Sequence, residues 1–157
     1  MPPSKKFTDG KISVFSQLKI YDTIAKNGIG VSLMSIDVLQ DKIRKVKNPS
    51  MVDLALKVSD LPPHLLQEEG SAAAAYGRFC RDLLGGLKGV VPAVRVGFTA
   101  FGLLGPDGLK ELQSVLHTAA SLGFYVALEA PYILSPMMAE ATAEAVWGEK
   151  AIYPCDG

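Results

Sequence analysis

The sequence is poor in the features that announce most specialised proteins. It has two cysteines, Cys80 and Cys155, at no metal-ligand spacing. Neither a disulfide framework nor a zinc site is therefore expected, and two reduced thiols suit the cytoplasm. Charge of one sign is missing as well. Sixteen basic and sixteen acidic residues cancel, which leaves no electrostatic footprint for nucleic acid. No apolar run reaches the ~18 residues that a membrane helix needs. Lys, Gln and Asp interrupt the N-terminal apolar residues where a secretory signal requires a continuous block. The two histidines, His64 and His117, stand apart from each other and from any acid pattern, and both read as solvated.

What remains is ample for one domain: 157 residues, 48% of them apolar. The run Gly123-Phe124-Tyr125-Val126-Ala127-Leu128-Glu129-Ala130-Pro131 is entered from a glycine and stopped by a proline. That pattern predicts a strand over 124–130 buried on both faces, as in a parallel sheet covered by helices. It ends in one acid, Glu129, at the carboxyl end of a strand, where α/β folds place their chemistry.

The rest of the chain alternates around it. Residues 1–10 read as a polar tail, and apolar spacing predicts helices over 13–26 and 35–46, the second with Ser35 as its N-cap. The basic residues at 42–47 then sit at a solvated helix end. A strand is predicted over 51–56, a rigid loop at Leu61-Pro62-Pro63-His64, and an Ala-rich helix over 71–87. A second strand over 90–98 carries Arg95 in an apolar run, and a buried Arg needs a carboxylate or phosphate partner. A turn at 105–108, a helix from Leu109 to Ala120, the strand ending in Glu129 and a helix over 136–146 follow. Residues 151–155 look like the lead-in to a fourth strand. No Gly-rich phosphate loop follows the first strand, so a nucleotide-cofactor fold is weakly supported. The order β-α-β-α-β-α-β predicts an α/β fold, a partial (β/α) barrel of TIM type. A full barrel takes about 250 residues and eight strands, and this chain supplies roughly half of one. The other half is then absent, supplied by another copy, or cut off.

Several separated motifs resemble one family. Asn48-Pro49-Ser50-Met51-Val52, Leu61-Pro62-Pro63, Val91-Pro92-Ala93-Val94 before a basic residue, Leu104-Gly105-Pro106-Asp107-Gly108-Leu109, Leu122-Gly123-Phe124-Tyr125-Val126 and Ala139-Glu140-Ala141 resemble, in register, the longer bacterial orotidine 5′-phosphate decarboxylases. The likeness runs over 34–157, with Met34 a natural start, and leaves 1–33 as an N-terminal extension. It implies a lyase of pyrimidine (UMP) biosynthesis that binds a nucleotide monophosphate and needs no cofactor.

The catalytic positions depart from that family. Its third strand ends in Asp-x-Lys-x-x-Asp, and its second strand offers a Lys. In register, Glu129 stands at the first Asp, Pro131 at the Lys, Leu134 at the second Asp and Arg95 at the strand-two Lys. The strand-one Asp that holds the substrate ribose falls on Ala55, with Asp53 two residues earlier. No Lys occurs between Glu129 and Glu149, so no small shift restores the motif. The resemblance therefore implies a degenerate or truncated, inactive homologue, a pseudoenzyme, with Arg95 and Glu129 as the catalytic-position residues and Asp53 as a substrate-binding candidate. The alternative is a non-catalytic interaction module that pairs through the open edge of the half-barrel. A third reading is an enzyme with reassigned chemistry on Glu129 and Arg95. An open edge and an uncovered inner face predict self-association, a homo-oligomer.

Overall fold

In the computed structural model, residues 35–131 and 136–157 are described, and they fall within one unit, Met34–Gly157. The helix expected over 13–26 and the position of Leu134 lie outside the described residues.

Helix α1 (Ser35–Val46) has Asp37 in its first turn and Arg44 and Lys45 in its last, matching the helix dipole. It ends where Lys47 takes a left-handed φ of 57°. Its basic end is not simply solvated, as expected from sequence. Lys42 Nζ donates to the carbonyls of Gly123 (2.7 Å) and Phe124 (3.2 Å), which ties α1 to the start of the third strand. Ser35 is the first helical residue, and its hydroxyl hydrogen-bonds the Tyr125 hydroxyl.

Three strands form one parallel sheet in sequence order: β1 (Met51–Asp53), β2 (Ala93–Gly97) and β3 (Tyr125–Glu129). All three are shorter than the sequence pattern, because apolar residues continue into the turns that cover the core. Leu54 and Val91 lie just outside the strands, yet both are buried. Helix α2 (Pro63–Glu69) replaces the rigid loop expected at 61–64, since proline is tolerated at a helix start. His64 is thus exposed on a helix rather than in a loop. Helix α3 (Ala72–Leu87) is capped by Ser71, whose hydroxyl accepts from the Ala74 amide. A short helix α4 (Phe98–Gly102) follows β2 directly. The expected turn at 105–108 is instead the first turn of α5 (Gly105–Ser121), with Pro at its start.

Val94, Val96 and Val126 point to the helix layer and are essentially inaccessible. They meet Tyr76, Cys80 and Leu84 of α3 and Leu112, Val115 and Leu116 of α5 in one core. The two helices approach closely enough that a side chain at Gly77 would collide with Glu111, which instead pairs with Arg81. Gly123, at φ +88°, makes the reversal from α5 into β3 that a side chain would strain.

After β3 come a 3₁₀ turn (Pro136–Met138) and helix α6 (Ala139–Trp147). Residues 151–155 are not themselves a strand but, as expected of a lead-in, carry the chain to the edge of β3. The ladder begins two residues later. The Gly157 amide donates to the Val126 carbonyl (3.2 Å), and the Gly157 carbonyl accepts from the Leu128 amide (2.8 Å). That pair of bonds is one step of a parallel ladder opposite Ala127.

Candidate functional site

Residues i and i+2 of a strand share a face, so β2 turns Val94 and Val96 to the helices and Ala93, Arg95 and Gly97 to the inner face. In parallel register Arg95 lies beside Asp53 on β1 and Ala127 on β3, and Gly97 lies beside Glu129. The sheet therefore gathers the three candidate residues Asp53, Arg95 and Glu129 on one face at the carboxyl ends of its strands.

Their side chains meet. Arg95 Nη2 donates to Asp53 Oδ2 at 2.5 Å, and Arg95 Nη1 lies 3.5 Å from Glu129 Oε2. The guanidinium bridges two carboxylates, and the trio carries one net negative charge. The sequence pattern placed Arg95 in a buried run, but its side chain is 43% exposed, because the inner face has no opposite wall among the described residues. β3 departs from two-sided burial in the same way: Tyr125 and Val126 are buried, whereas Glu129 is exposed.

The Arg95 guanidinium, through its hydrogen bond, holds the Asp53 carboxyl below its ordinary value. Asp53 in turn raises the Arg95 pKa above its already high value, with Glu129 adding to the effect. Asp53 Oδ1 also accepts from the Ala55 amide, an Asx turn that turns the chain away after β1. Ala55 sits against Gly97: a Cβ on that glycine would stand 3.3 Å from the Ala55 Cβ and 3.9 Å from Glu129 Oε2.

Tyr76 supports this end of the sheet and was not legible as a site residue, because it reads as part of an apolar helix stripe. Its fully buried hydroxyl accepts from the Leu56 amide (2.8 Å) and lies 2.9 Å from the Leu54 carbonyl and 3.0 Å from the Leu56 carbonyl. Its ring packs edge-on against Phe101 of α4, centroids 4.8 Å apart. One side chain thus joins the turn after β1 to the helix after β2. Burial pushes its pKa up to about 12, so it stays a neutral phenol.

Pro131, at the position of the family's lysine, is exposed and brings no donor to the trio. A cavity of about 230 Å³ opens on the other side of β3, lined by Leu128, Ala130, Val146, Trp147 and Cys155 among others. Among the described residues no group of His, Cys, Asp and Glu could hold a metal ion, and no helix is long and apolar enough to cross a membrane.

A curated orotidine 5′-phosphate decarboxylase from Rhodopirellula baltica is 30% identical over 93 residues, covering 56% of this chain and 31% of the relative. Over that part the chain is orotidine 5′-phosphate decarboxylase-like. A solved structure from Toxoplasma gondii, named as an orotidine-monophosphate decarboxylase, superposes with a TM-score of 0.59 at 20% identity. It covers 71% of this chain and 36% of that one, and shows the fold: the parallel sheet and its helices correspond to part of a TIM-type barrel. No protein-family profile matches the chain. The chain spans about a third of the length of the relatives it matches.

Proposed function

We propose that this chain is an orotidine 5′-phosphate decarboxylase-like half-barrel that no longer carries out decarboxylation. The observation that carries the reading is the state of Arg95, bridged between Asp53 and Glu129 while Pro131 stands where the family has its lysine. Loss of carbon dioxide from orotidine 5′-phosphate leaves carbanion character at C6 of the pyrimidine. A catalyst must stabilise that charge and then deliver a proton to the same carbon, tasks that suit a nearby ammonium. Proline offers neither. A guanidinium raised further by two carboxylates is a poor acid, and its charge is already spent on them. The net negative trio also faces the substrate's carboxylate with like charge. A nucleotide monophosphate remains the ligand class that the likeness suggests for the strand ends.

The test is the loss of orotidine 5′-phosphate absorbance with purified protein, run beside an active homologue. No turnover above the uncatalysed rate is the expected result. Turnover that persists through repurification and disappears in Glu129→Ala overturns the proposal, and favours reassigned chemistry on Glu129 and Arg95.

A further inference from the structure

Helix α1 is fastened differently from the helices that cover the sheet. Six residues of α3 and five of α5 are buried, and none of α1. The apolar stripe of α1, made of Val38, Leu39, Ile43 and Val46, is only half-buried. Polar ties therefore do much of the holding. Lys42 Nζ donates to the Gly123 and Phe124 carbonyls, and the Ser35 hydroxyl bonds the Tyr125 hydroxyl. Hydrogen bonds from an ammonium are about twice as strong as neutral ones, so Lys42 carries the larger share.

The chain leaving α1 first pivots and then holds. Lys47, directly after the helix, takes a φ of 57°, and among the described residues it is the one non-glycine with a positive φ. Asn48 then anchors the chain. Its side-chain nitrogen donates to the Val90 carbonyl (2.8 Å), and its side-chain oxygen accepts from the Ser50 amide (2.9 Å). β1 begins at Met51, so the sheet lies beyond the anchor. From this arrangement we infer that α1 is a strap, latched by Lys42 onto the reversal into β3 and hinged at Lys47, which opens as one unit while the sheet stays folded.

A segment with few buried apolar contacts opens at lower cost than the whole domain unfolds. A 12-residue helix is marginal by itself in water, so the strap loses its helical hydrogen bonds when it leaves the sheet. What it uncovers is the amino end of β3: the Gly123 and Phe124 carbonyls and the Tyr125 hydroxyl. Glu129 stands at the other end of that strand, so Asp53, Arg95 and Glu129 keep their arrangement. Removing the Lys42 ammonium shifts the strap toward its open form and leaves the core between α3 and α5 untouched. The inference stands whether or not the strand ends bind a nucleotide.

The test is amide hydrogen exchange, read by NMR on the full chain and on Lys42→Met and Lys42→Arg. In the parent, the amides of residues 39–46 should share one protection factor, well below those of Val96 and Leu116 in the core. Lys42→Met should speed exchange at 39–46 by a further factor of roughly ten, with Val96 and Leu116 unchanged. Lys42→Arg, which keeps a charged donor, should retain most of the protection. Equal protection of α1 and the core in the parent would mean that α1 opens only with the whole domain, and overturns the inference. A graded loss toward the helix ends would be simple fraying and does the same. So would a Lys42→Met chain that exchanges like the parent at 39–46, is speeded everywhere alike, or fails to fold.

Discussion

Asp53 and Arg95, 42 residues apart in sequence, are partners across the β1–β2 ladder, and their side chains pair on the sheet's inner face. Parallel pairing alone brings an acid on the first strand to a base on the second. The pair is nearly half exposed and screened by solvent, so its contribution to stability is small. Its value as a reporter is greater. Arg95 lowers the Asp53 pKa, so whatever stability the pair supplies is fully present above the unfolded carboxylate value. That stability is lost as pH falls through the lowered folded value. In Arg95→Gln the Asp53 carboxyl should titrate at higher pH than in the parent protein. Carboxyl carbon NMR of Asp53 across the acid range measures this, and unchanged titration would show that the two groups do not pair in solution.

Freeing Arg95 should change ligand affinity. In Asp53→Asn the guanidinium loses its closer partner, and one negative charge leaves the strand ends. Titration calorimetry should then show UMP binding several-fold more tightly than to the parent chain. Weaker binding in the variant would mean that Asp53 itself contacts the ligand, as a substrate-binding role requires.

Tyr76→Phe keeps the ring and its packing on Phe101 but leaves the Leu56 amide without its hydroxyl partner. That bond is only part-buried, so its loss costs about 1 kcal/mol. Urea unfolding should show a lower midpoint with an unchanged slope. The Asp53 carboxyl should also broaden or shift, because the turn carrying the Ala55 amide is no longer held. A variant as stable as the parent, with an undisturbed Asp53 signal, would remove Tyr76 from the account of the site.

Self-association is proposed on narrower grounds than an apolar inner face. The inner face at the strand ends is charged, with Asp53, Arg95 and Glu129 each nearly half exposed. Among the described residues, however, the outer side of β1 has no strand beside it, and Met137, Met138 and Trp147 are exposed around α6. An open strand edge and separate exposed apolar residues favour a weak, concentration-dependent oligomer. Sedimentation over a range of concentrations checks it, and a single species at 16.7 kDa throughout would refute it.

The sequence by itself determined the alternation of strands and helices. Each strand is a short apolar run between glycine or proline signals, and each long helix has an apolar stripe at its own period. Those signals are local, so β2, β3, α3 and α5 were legible to within a few residues. They also singled out Arg95 and Glu129, because a charge in or at the end of an apolar run is conspicuous, whereas Asp53 was marked only by the family resemblance. Only the tertiary structure decided that these three meet, since register depends on how separate strands pair and no local signal encodes it. It also turned the Lys42 ammonium to the start of β3, where it binds two carbonyls instead of water alone. Tyr76 was hidden for the same reason. A buried hydroxyl on an apolar stripe looks like any core residue until its backbone partners arrive from another strand.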